Sequence, residues 1–148
     1  NNAMLHPVLT EMMQNKIESE VKLEWQHKDV NFKGFADLLT TFNGRKCIVD
    51  IKTTNDAGKR FERDLYYNDY KMQLAMYQDQ YDKNTDVYIV AIETTTPFNV
   101  QIYKLDDSLL FKGWMDYDYY TDKFKEWNGE PQGYSSDIVE VKTETEEI

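Results

Sequence analysis

The dipeptide Asn43-Gly44 separates two strand-like runs, residues 31–42 and 45–54. Asn-Gly is the strongest short signal for a two-residue β-hairpin, because both positions of the favoured turn need a positive φ. The two runs are therefore predicted to pair as antiparallel strands. The second run contains Cys47-Ile48-Val49-Asp50-Ile51, which is almost continuously apolar and predicts a central strand covered on both faces.

The rest of the chain predicts further strands and two helices around that hairpin. Strand-like patterns cover residues 20–25, 87–92 and 100–103. Helical spacing covers roughly residues 60–81, and a second helix is expected to begin after Asp106 or Asp107 and to reach Trp127. The predicted fold class is α/β, with a mixed central β-sheet flanked by helices.

Length and composition predict one soluble domain. The chain has 148 residues, and we expect a single domain over residues 1–127, followed at 128–148 by an acidic C-terminal tail or a loosely docked segment. No run approaches the roughly 20 apolar residues of a membrane span, so no membrane partner is expected. The single cysteine, Cys47, excludes an intramolecular disulfide and fits a reducing cytoplasm.

The formal net charge of −10 limits how the protein can bind nucleic acid. Non-specific coating of nucleic acid depends on many Lys and Arg contacts to phosphates, so this function is excluded. An enzyme is not excluded, because a site that holds divalent cations needs a cluster of carboxylates. An acidic interaction protein that mimics the charge of DNA also stays open.

Two carboxylates and one amine are predicted to meet at the hairpin. Side chains alternate along a strand, so Asp50 and Lys52 share a face with Ile48. Pairing through the Asn43-Gly44 turn can bring Asp37 of the preceding strand near Asp50 on that face. Two close carboxylates repel each other unless a cation lies between them or one is protonated. Oxygen ligands favour hard ions, so we expect Mg²⁺, with Mn²⁺ as a substitute.

This arrangement is suited to phosphodiester hydrolysis. A metal ion held by two carboxylates leaves coordination positions for water and for a phosphate oxygen. The ammonium of Lys52 can then stabilise charge in the transition state or help to hold a water as hydroxide. The alternative is an exposed structural ion pair of Asp50 and Lys52 on an edge strand. The apolar run around the pair argues against that alternative.

Three motifs, in order, resemble those of the RecB-like PD-(D/E)XK exonucleases. Gly34-Phe35-Ala36-Asp37 resembles the G-x-x-D motif, and Asp50-Ile51-Lys52 resembles the D/E-x-K motif. Gln73-Leu74-Ala75-Met76-Tyr77 resembles the Q-x-x-x-Y motif. Residues 60–77 look especially similar to the RecE-type and related phage recombination exonucleases. The resemblance covers about residues 20–105 and implies a restriction-endonuclease-like core.

The resemblance implies a role for the residues of the first two motifs. Asp37, Asp50 and the backbone carbonyl of Ile51 would bind the metal, and Lys52 would be catalytic. Glu20 resembles a glutamate that the family places on the strand before its G-x-x-D motif. There it would act as a ligand or position water.

The third motif implies contact with the substrate. Gln73 and Tyr77 would lie beside the scissile strand, and a polar amide within an aromatic stripe needs the partners that a site-facing position supplies. Core packing and substrate contact stay equally open for the tyrosines of this segment, which are Tyr66, Tyr70, Tyr77 and Tyr81. Phosphate binding and a solvated face stay equally open for its cations, which are Lys59, Arg60, Arg63 and Lys71.

One element of the family pattern is not matched near the start of the chain, and two explanations stay open: the sequence begins after this element, or the site is incomplete. Relatives usually carry a further histidine or acidic residue on an upstream helix, and His6 is the only nearby histidine. The pair His6-Pro7 is typical of the start of a helix instead, because proline is favoured at the first helical position.

The resemblance implies a Mg²⁺-dependent deoxyribonuclease that degrades linear duplex DNA from an end. Its setting would be phage or prophage recombination or DNA repair, in the cytoplasm of a bacterial or phage-infected cell. A homo-oligomeric ring and a single-strand annealing partner protein are further implications. Two alternatives stay open: a structure-specific endonuclease or nickase with the same metal site, and a catalytically inactive nucleic-acid-binding domain that has lost its upstream ligand.

Overall fold

The architecture is seen in a computed structural model that describes residues 6–127, 129 and 138–143. Within these residues the chain forms four helices and five strands. In chain order they are α1 (Pro7–Gln14), β1 (Glu18–His27), β2 (Val30–Phe42), β3 (Arg45–Thr54), α2 (Lys59–Tyr67), α3 (Tyr70–Asp79), β4 (Asp86–Glu93), β5 (Val100–Lys104) and α4 (Asp107–Glu126).

The strands form one sheet in the order β1-β2-β3-β4-β5. Strands β3 and β4 run parallel, and the other neighbouring pairs are antiparallel. A parallel pair needs a long crossover connection, which α2 and α3 provide. The predicted mixed sheet with flanking helices is confirmed, and β3 lies at its centre.

Two tight turns fix the pairing of the first three strands. At the predicted turn between β2 and β3, Asn43 and Gly44 have φ values of 52° and 72°, which are the left-handed values that this turn type needs. The hairpin prediction is confirmed. The turn between β1 and β2 uses Lys28 and Asp29, with φ values of 50° and 65°. Sequence reasoning missed this second turn, because it contains neither glycine nor asparagine.

Each face of the sheet carries its own apolar core. Ile48 and Ile89 belong to the core formed with α2, α3 and α4, whereas Cys47 and Val49 belong to the core formed with α1. The alternation predicted for the central strand is confirmed. Burial raises the pKa of the Cys47 thiol to about 11, so this residue is a neutral member of the core.

Helix α1 covers the second face and was absent from the predicted order of elements. His6 is its N-cap and Pro7 stands in its first turn, as the sequence indicated for this pair. The Thr40 hydroxyl in β2 donates a hydrogen bond to the Met12 carbonyl at 2.6 Å. The helix has eight residues, which is too short for its apolar spacing to stand out in the sequence.

The single helix predicted over residues 60–81 is wrong. Two helices, α2 and α3, are separated at Asn68 and Asp69. Asn68 is extended, with φ −90° and ψ 167°, and Asn and Asp favour helix ends because their side chains compete for local backbone hydrogen bonds. The break changes which residues face the sheet. Leu74 is fully buried, whereas Met72 and Met76 are half-buried.

Helix α4 packs tightly on α3. Asp106 caps it by accepting a hydrogen bond from the Leu109 N–H at 2.8 Å, as the sequence indicated. Gly113 would weaken an isolated helix. However, a Cβ at this position would lie 2.2 Å from the carbonyl oxygen of Lys71 in α3. The close approach of the two helices therefore requires the glycine.

The C-terminal region is described only in part. Residues 138–143 form neither helix nor strand. The predicted boundary at residue 127 and the acidic tail stay predictions, because residues 128, 130–137 and 144–148 lie outside the described part of the chain. Among the helices that are described, none has both the length and the apolar character of a membrane span.

Candidate active site

The burial of the central strand ends at a charged residue. Residues 47–50 of β3 are all buried, and Asp50 is only 4% exposed. An ionised carboxylate at such a position is unfavourable unless it has a partner or a bound cation. Lys52, two residues later on the same face, is half-buried.

Strands β2 and β3 separate beside Asp50. Their paired register ends at Leu38 and Val49. Beyond that pair, a side chain takes the place of a backbone carbonyl as the hydrogen-bond acceptor. Oδ2 of Asp37 accepts a hydrogen bond from the Ile51 N–H at 2.7 Å. This contact holds the Asp37 carboxylate against β3 at the level of Asp50.

Side chains of β2 alternate between the two faces of the sheet, and this alternation is interrupted once, at Asp37. Ala36 and Leu39 both belong to the core with α2, α3 and α4, whereas Leu38 belongs to the core with α1. The slip lies across from Glu20 in β1, which the paired register of β1 and β2 skips and which has a φ of 51°. Irregularities of this kind redirect side chains and are common beside active sites.

The two carboxylates influence each other. The pKa of Asp50 is raised from 3.8 to about 6. Burial is the largest cause, the Lys52 ammonium opposes it, and a hydrogen bond and repulsion from Asp37 add to the rise. Asp37 and Asp50 therefore meet, as the hairpin pairing predicts. A divalent cation between them would offset the repulsion and favour the ionised form of both.

Lys52 forms an ion pair with Asp50. Its Nζ lies 3.1 Å from Oδ2 of Asp50. Apart from this ion pair, the buried oxygen has no hydrogen-bond partner within the described residues. The same Nζ is 4.9 Å from the ring centroid of Tyr70 in α3, which is a cation–π contact. The ammonium is thus held between β3 and α3.

The buried Asp50 carboxylate beside Asp37 fits a hard divalent cation. In the part of the chain that the structure describes, no three His, Cys, Asp or Glu side chains are grouped to hold a metal ion. The residues that would hold such an ion are Asp37, Asp50 and, as the family resemblance implies, the Ile51 carbonyl. Mg²⁺ is often bound by one or two carboxylates and completes its shell with water and substrate phosphates. Two carboxylates are therefore compatible with this mode of binding.

Glu20 is not brought into a three-acid group with Asp37 and Asp50. It is exposed, on the strand next to Asp37. Its left-handed φ costs roughly 1–3 kcal/mol for a non-glycine residue, and such strain clusters at functional sites. The role of Glu20 as a ligand or in positioning water stays a prediction.

Gln73 and Tyr77 are brought together on α3. The Gln73 Nε2 donates a hydrogen bond to the Tyr77 hydroxyl at 3.2 Å. Tyr77 is buried against β2, where a Cβ on Gly34 would lie 2.6 Å from its Cε1 and its hydroxyl oxygen. The glycine of the G-x-x-D motif and the tyrosine of the Q-x-x-x-Y motif are therefore in contact. Sequence reasoning missed this contact, because spacing within motifs does not report which motifs touch.

Sequence reasoning also missed a buried carboxylate at the end of β4. Glu93 accepts hydrogen bonds from the N–H groups of Asn99 at 2.8 Å and Ala57 at 3.2 Å. The Tyr103 hydroxyl contacts the carbonyls of Ala57 and Gly58. Together these bonds fix the loop that joins β3 to α2. A glutamate that directly follows an apolar strand pattern was the available signal.

The cations of the α2–α3 segment divide into two groups. Lys71 caps α2, because its Nζ donates to the carbonyls of Tyr66 at 3.0 Å and Asn68 at 3.4 Å. The others are exposed and form no ion pair within the described residues; they are Lys59, Arg60 and Arg63. These three are available for phosphates, whereas Lys71 is occupied.

Comparisons with known proteins agree with this geometry. A family model described as a PDDEXK-like domain of unknown function (DUF3799) matches residues 3–142. Among solved structures, the chain is similar to a "Putative exonuclease" from Eubacterium rectale, with a TM-score of 0.60 and 17% identity over 77% of this chain and 46% of that chain. The chain thus spans less than half the length of that protein.

A second solved structure, SSO0001, gives a weaker likeness. Its TM-score is 0.40, with 22% identity over 70% of this chain and 50% of that chain, and it adds nothing to the assignment. No curated protein matches.

The family model and the fold support the same conclusion. The Eubacterium rectale likeness, at this identity, supports the fold alone. The family model reaches further, because its matched residues include β1 to α4 and all three motifs. The predicted membership of the PD-(D/E)XK superfamily is confirmed, and the chain belongs to the family of PDDEXK-like domains described as DUF3799.

Proposed function

We propose that the chain is a metal-dependent deoxyribonuclease that hydrolyses phosphodiester bonds of DNA from a duplex end. The PDDEXK-like nuclease fold supports this class of activity. The observation that carries the proposal is the buried Asp50 carboxylate, which lies beside Asp37 and has Lys52 as its one cationic partner within the described residues. Two acids and a half-buried amine would gain little as a purely structural group, because desolvation offsets their attraction.

Each polar group of the site has a distinct role in this proposal. Asp37, Asp50 and the Ile51 carbonyl would hold Mg²⁺ or Mn²⁺. When bound, the ion supplies Lewis-acid polarisation of the phosphate and a more acidic water. The Lys52 ammonium would stabilise the negative charge that grows on the phosphate oxygens in the transition state. Glu20 would position water from the neighbouring strand.

The helical segment after β3 would position the DNA. Gln73 and Tyr77 would lie beside the scissile strand, and the exposed cations of α2 would contact the flanking phosphates. These cations can bind DNA even though the chain as a whole is acidic. Salt screens the repulsion between the protein's distant carboxylates and the DNA phosphates beyond about 8–10 Å at ordinary ionic strength.

The test uses linear duplex DNA and a closed circular duplex of the same sequence. We expect nucleotides to be released from the linear DNA with Mg²⁺ or Mn²⁺, and no release with a chelator or with Asp50→Ala. Equal cutting of the circular DNA would contradict the exonuclease mode and favour a structure-specific endonuclease or nickase. Activity that survives Asp50→Ala would contradict the proposed site.

A catalytically inactive nucleic-acid-binding domain is the second candidate. The observation in its favour is that the described residues contribute two acids to the site rather than three. This candidate predicts DNA binding that is indifferent to divalent ions and no hydrolysis with either ion. Binding of Mn²⁺ that depends on Asp37 and Asp50 would argue against it.

The biological setting rests on the resemblance alone and stays a prediction. It comprises phage or prophage recombination or DNA repair, a homo-oligomeric ring, a single-strand annealing partner and a cytoplasmic location. Sedimentation of the purified protein would test the ring directly.

A further inference from the structure

A cleft of about 620 Å³ lies between α3 and the hairpin of β1 and β2. Its lining is rich in aromatic side chains, including Trp25, Tyr67, Tyr70 and Tyr77. The charged residues of the lining are one cation, Lys33, and one anion, Asp69. The volume falls within the range of small-molecule sites, and the balanced charge makes the cleft a poor site for phosphate.

The cleft is adjacent to the acid–amine cluster, by which we mean Asp37, Asp50 and Lys52. Tyr70 connects the two, because its ring lines the cleft and lies 4.9 Å from the Lys52 Nζ. Gln73, one turn later on α3, also lines the cleft. A chain whose backbone lies at the acid–amine cluster would therefore have the cleft beside it.

One wall of the cleft is held rigidly. The Trp25 ring stacks on Phe32, with centroids 5.5 Å apart and planes at 9°, and meets Tyr77 edge-on at 6.3 Å. Its Nε1 donates a hydrogen bond to the Tyr117 hydroxyl at 3.0 Å. A wall that is already ordered loses little conformational entropy when a ligand binds.

The opposite side of the cleft carries the ring of Tyr67, which is not packed in either apolar core. Tyr67 is 75% exposed at the break between α2 and α3. Its ring meets only the edge of Tyr66, at 5.6 Å and 71°, among the ring contacts of the described residues. Its hydroxyl makes no hydrogen bond within those residues. The ring is therefore available to stack on a ligand.

We propose that this cleft receives unpaired bases of single-stranded DNA, with Tyr67 as a stacking platform. The inference rests on the proposed function, and it names the form of DNA that the site prefers. Every base has a face that stacks on an aromatic ring, so the contact would tolerate any sequence. Gln73 adds an amide that can hydrogen-bond to a base edge. Bases within an intact duplex are already stacked and cannot enter.

The first test measures binding of the whole protein to three labelled probes by fluorescence anisotropy. The probes are oligothymidylate of about 12 nucleotides, an abasic strand of equal length, and a duplex closed by hairpins at both ends. Titrations are run with a chelator, and again with Lys52→Ala in Mg²⁺. We expect oligothymidylate to bind at least about 10-fold more tightly than either other probe. Equal affinity for oligothymidylate and the abasic strand in both conditions would overturn the proposal.

The second test replaces the platform. We expect Tyr67→Ala to weaken oligothymidylate binding about 10-fold and to leave binding of the abasic strand unchanged. Tyr120→Ala is the matched control, because Tyr120 is also exposed and meets its neighbour Tyr119 edge-on at 5.3 Å, but lies on α4 outside the cleft. Equal losses in the two variants, or no loss with Tyr67→Ala, would contradict the proposal.

Failure of this inference is distinguishable from failure of the proposed function. Metal-dependent cleavage of linear DNA without base-dependent binding would support the proposed nuclease function and contradict base binding in the cleft. Base-dependent binding that Tyr67→Ala abolishes, without hydrolysis in Mg²⁺ or Mn²⁺, would support the cleft and contradict the nuclease.

Discussion

The surface ion cluster that joins the β1–β2 turn to α4 differs from the acid–amine cluster in how its charges are paired. Lys28 Nζ lies 2.9 Å from both oxygens of Asp122 and 3.0 Å from Asp118. His27 Nε2 lies 2.8 Å from Asp118. The lysine and both aspartates of the surface ion cluster therefore each have a partner of opposite charge. These partners lower the pKa of Asp118 and raise that of Lys28.

The acid–amine cluster also consists of aspartates and a lysine, but its charges are less completely paired. Its two acids share one amine, and an oxygen of Asp50 has no hydrogen-bond partner within the described residues. The pKa of Asp50 rises to about 6, because burial outweighs the attraction of Lys52. The surface ion cluster joins two elements and its lysine and aspartates are all paired, whereas the acid–amine cluster would be completed by the proposed cation. Buried groups with perturbed pKa values are candidates for functional sites.

The largest expected difference between the two clusters is in catalysis. We expect Asp50→Asn to reduce nuclease activity about 10³-fold or more, because a metal ligand and its charge are lost. Asp118→Asn, the same change in the surface ion cluster, should leave activity within about 2-fold. Initial rates on linear duplex DNA with Mg²⁺ measure both. Similar losses in the two variants would remove the distinction between the clusters.

A smaller loss is expected when the amines are compared. Lys52→Ala should lower kcat about 10²-fold and leave Mn²⁺ binding largely intact, because the ammonium acts on the transition state rather than on the ion. Lys28→Ala should change neither quantity. Single-turnover rates and calorimetric titration provide the two readouts. Loss of Mn²⁺ binding in Lys52→Ala would show that this amine organises the carboxylates instead.

The clusters should also respond differently to pH in metal-free buffer. The folded pKa of Asp50, about 6, exceeds the ordinary value of 3.8. The contribution of Asp50 to stability is therefore fully present below pH 3.8 and is lost as the pH rises through about 6. The loss is up to about 3 kcal/mol. The difference in unfolding free energy between wild type and Asp50→Asn, measured in urea from pH 4 to 7, isolates it. A difference that does not change with pH would contradict the raised pKa that burial gives Asp50.

The smallest effect is expected in the surface ion cluster itself. Asp122→Asn should lower Tm by no more than a few degrees, and high salt should remove the difference, because exposed ion pairs are weak and screened. Thermal unfolding at low and high salt measures this. A large loss that salt does not affect would mean that the turn between β1 and β2 depends on Asp122 for more than charge.

The features predicted from the sequence are those encoded by neighbouring residues. The Asn43-Gly44 turn and the apolar run 47–51 specify a hairpin and a central strand by local rules, and both are confirmed. The meeting of Asp37 and Asp50 followed from these two features, because the turn fixes which residues face each other.

The features that were missed depend on tertiary contacts. Gly34 is needed because Tyr77, forty-three positions later, packs on it, and Gly113 is needed because the Lys71 backbone lies against it. No local pattern reports either contact. The break at Asn68 was missed for a related reason, since a helical spacing of apolar residues continued across it. Tyr67, Asn68 and Asp69 lie at this break and line the cleft.

Calorimetric titration of the metal-free protein with Mn²⁺ at pH 7 tests the central claim most directly. We expect saturable binding that is lost in both Asp37→Asn and Asp50→Asn and is unchanged in Asp118→Asn. Absence of binding to the wild type, or binding that survives both substitutions, would contradict the assignment of a metal site to the two acids of β2 and β3.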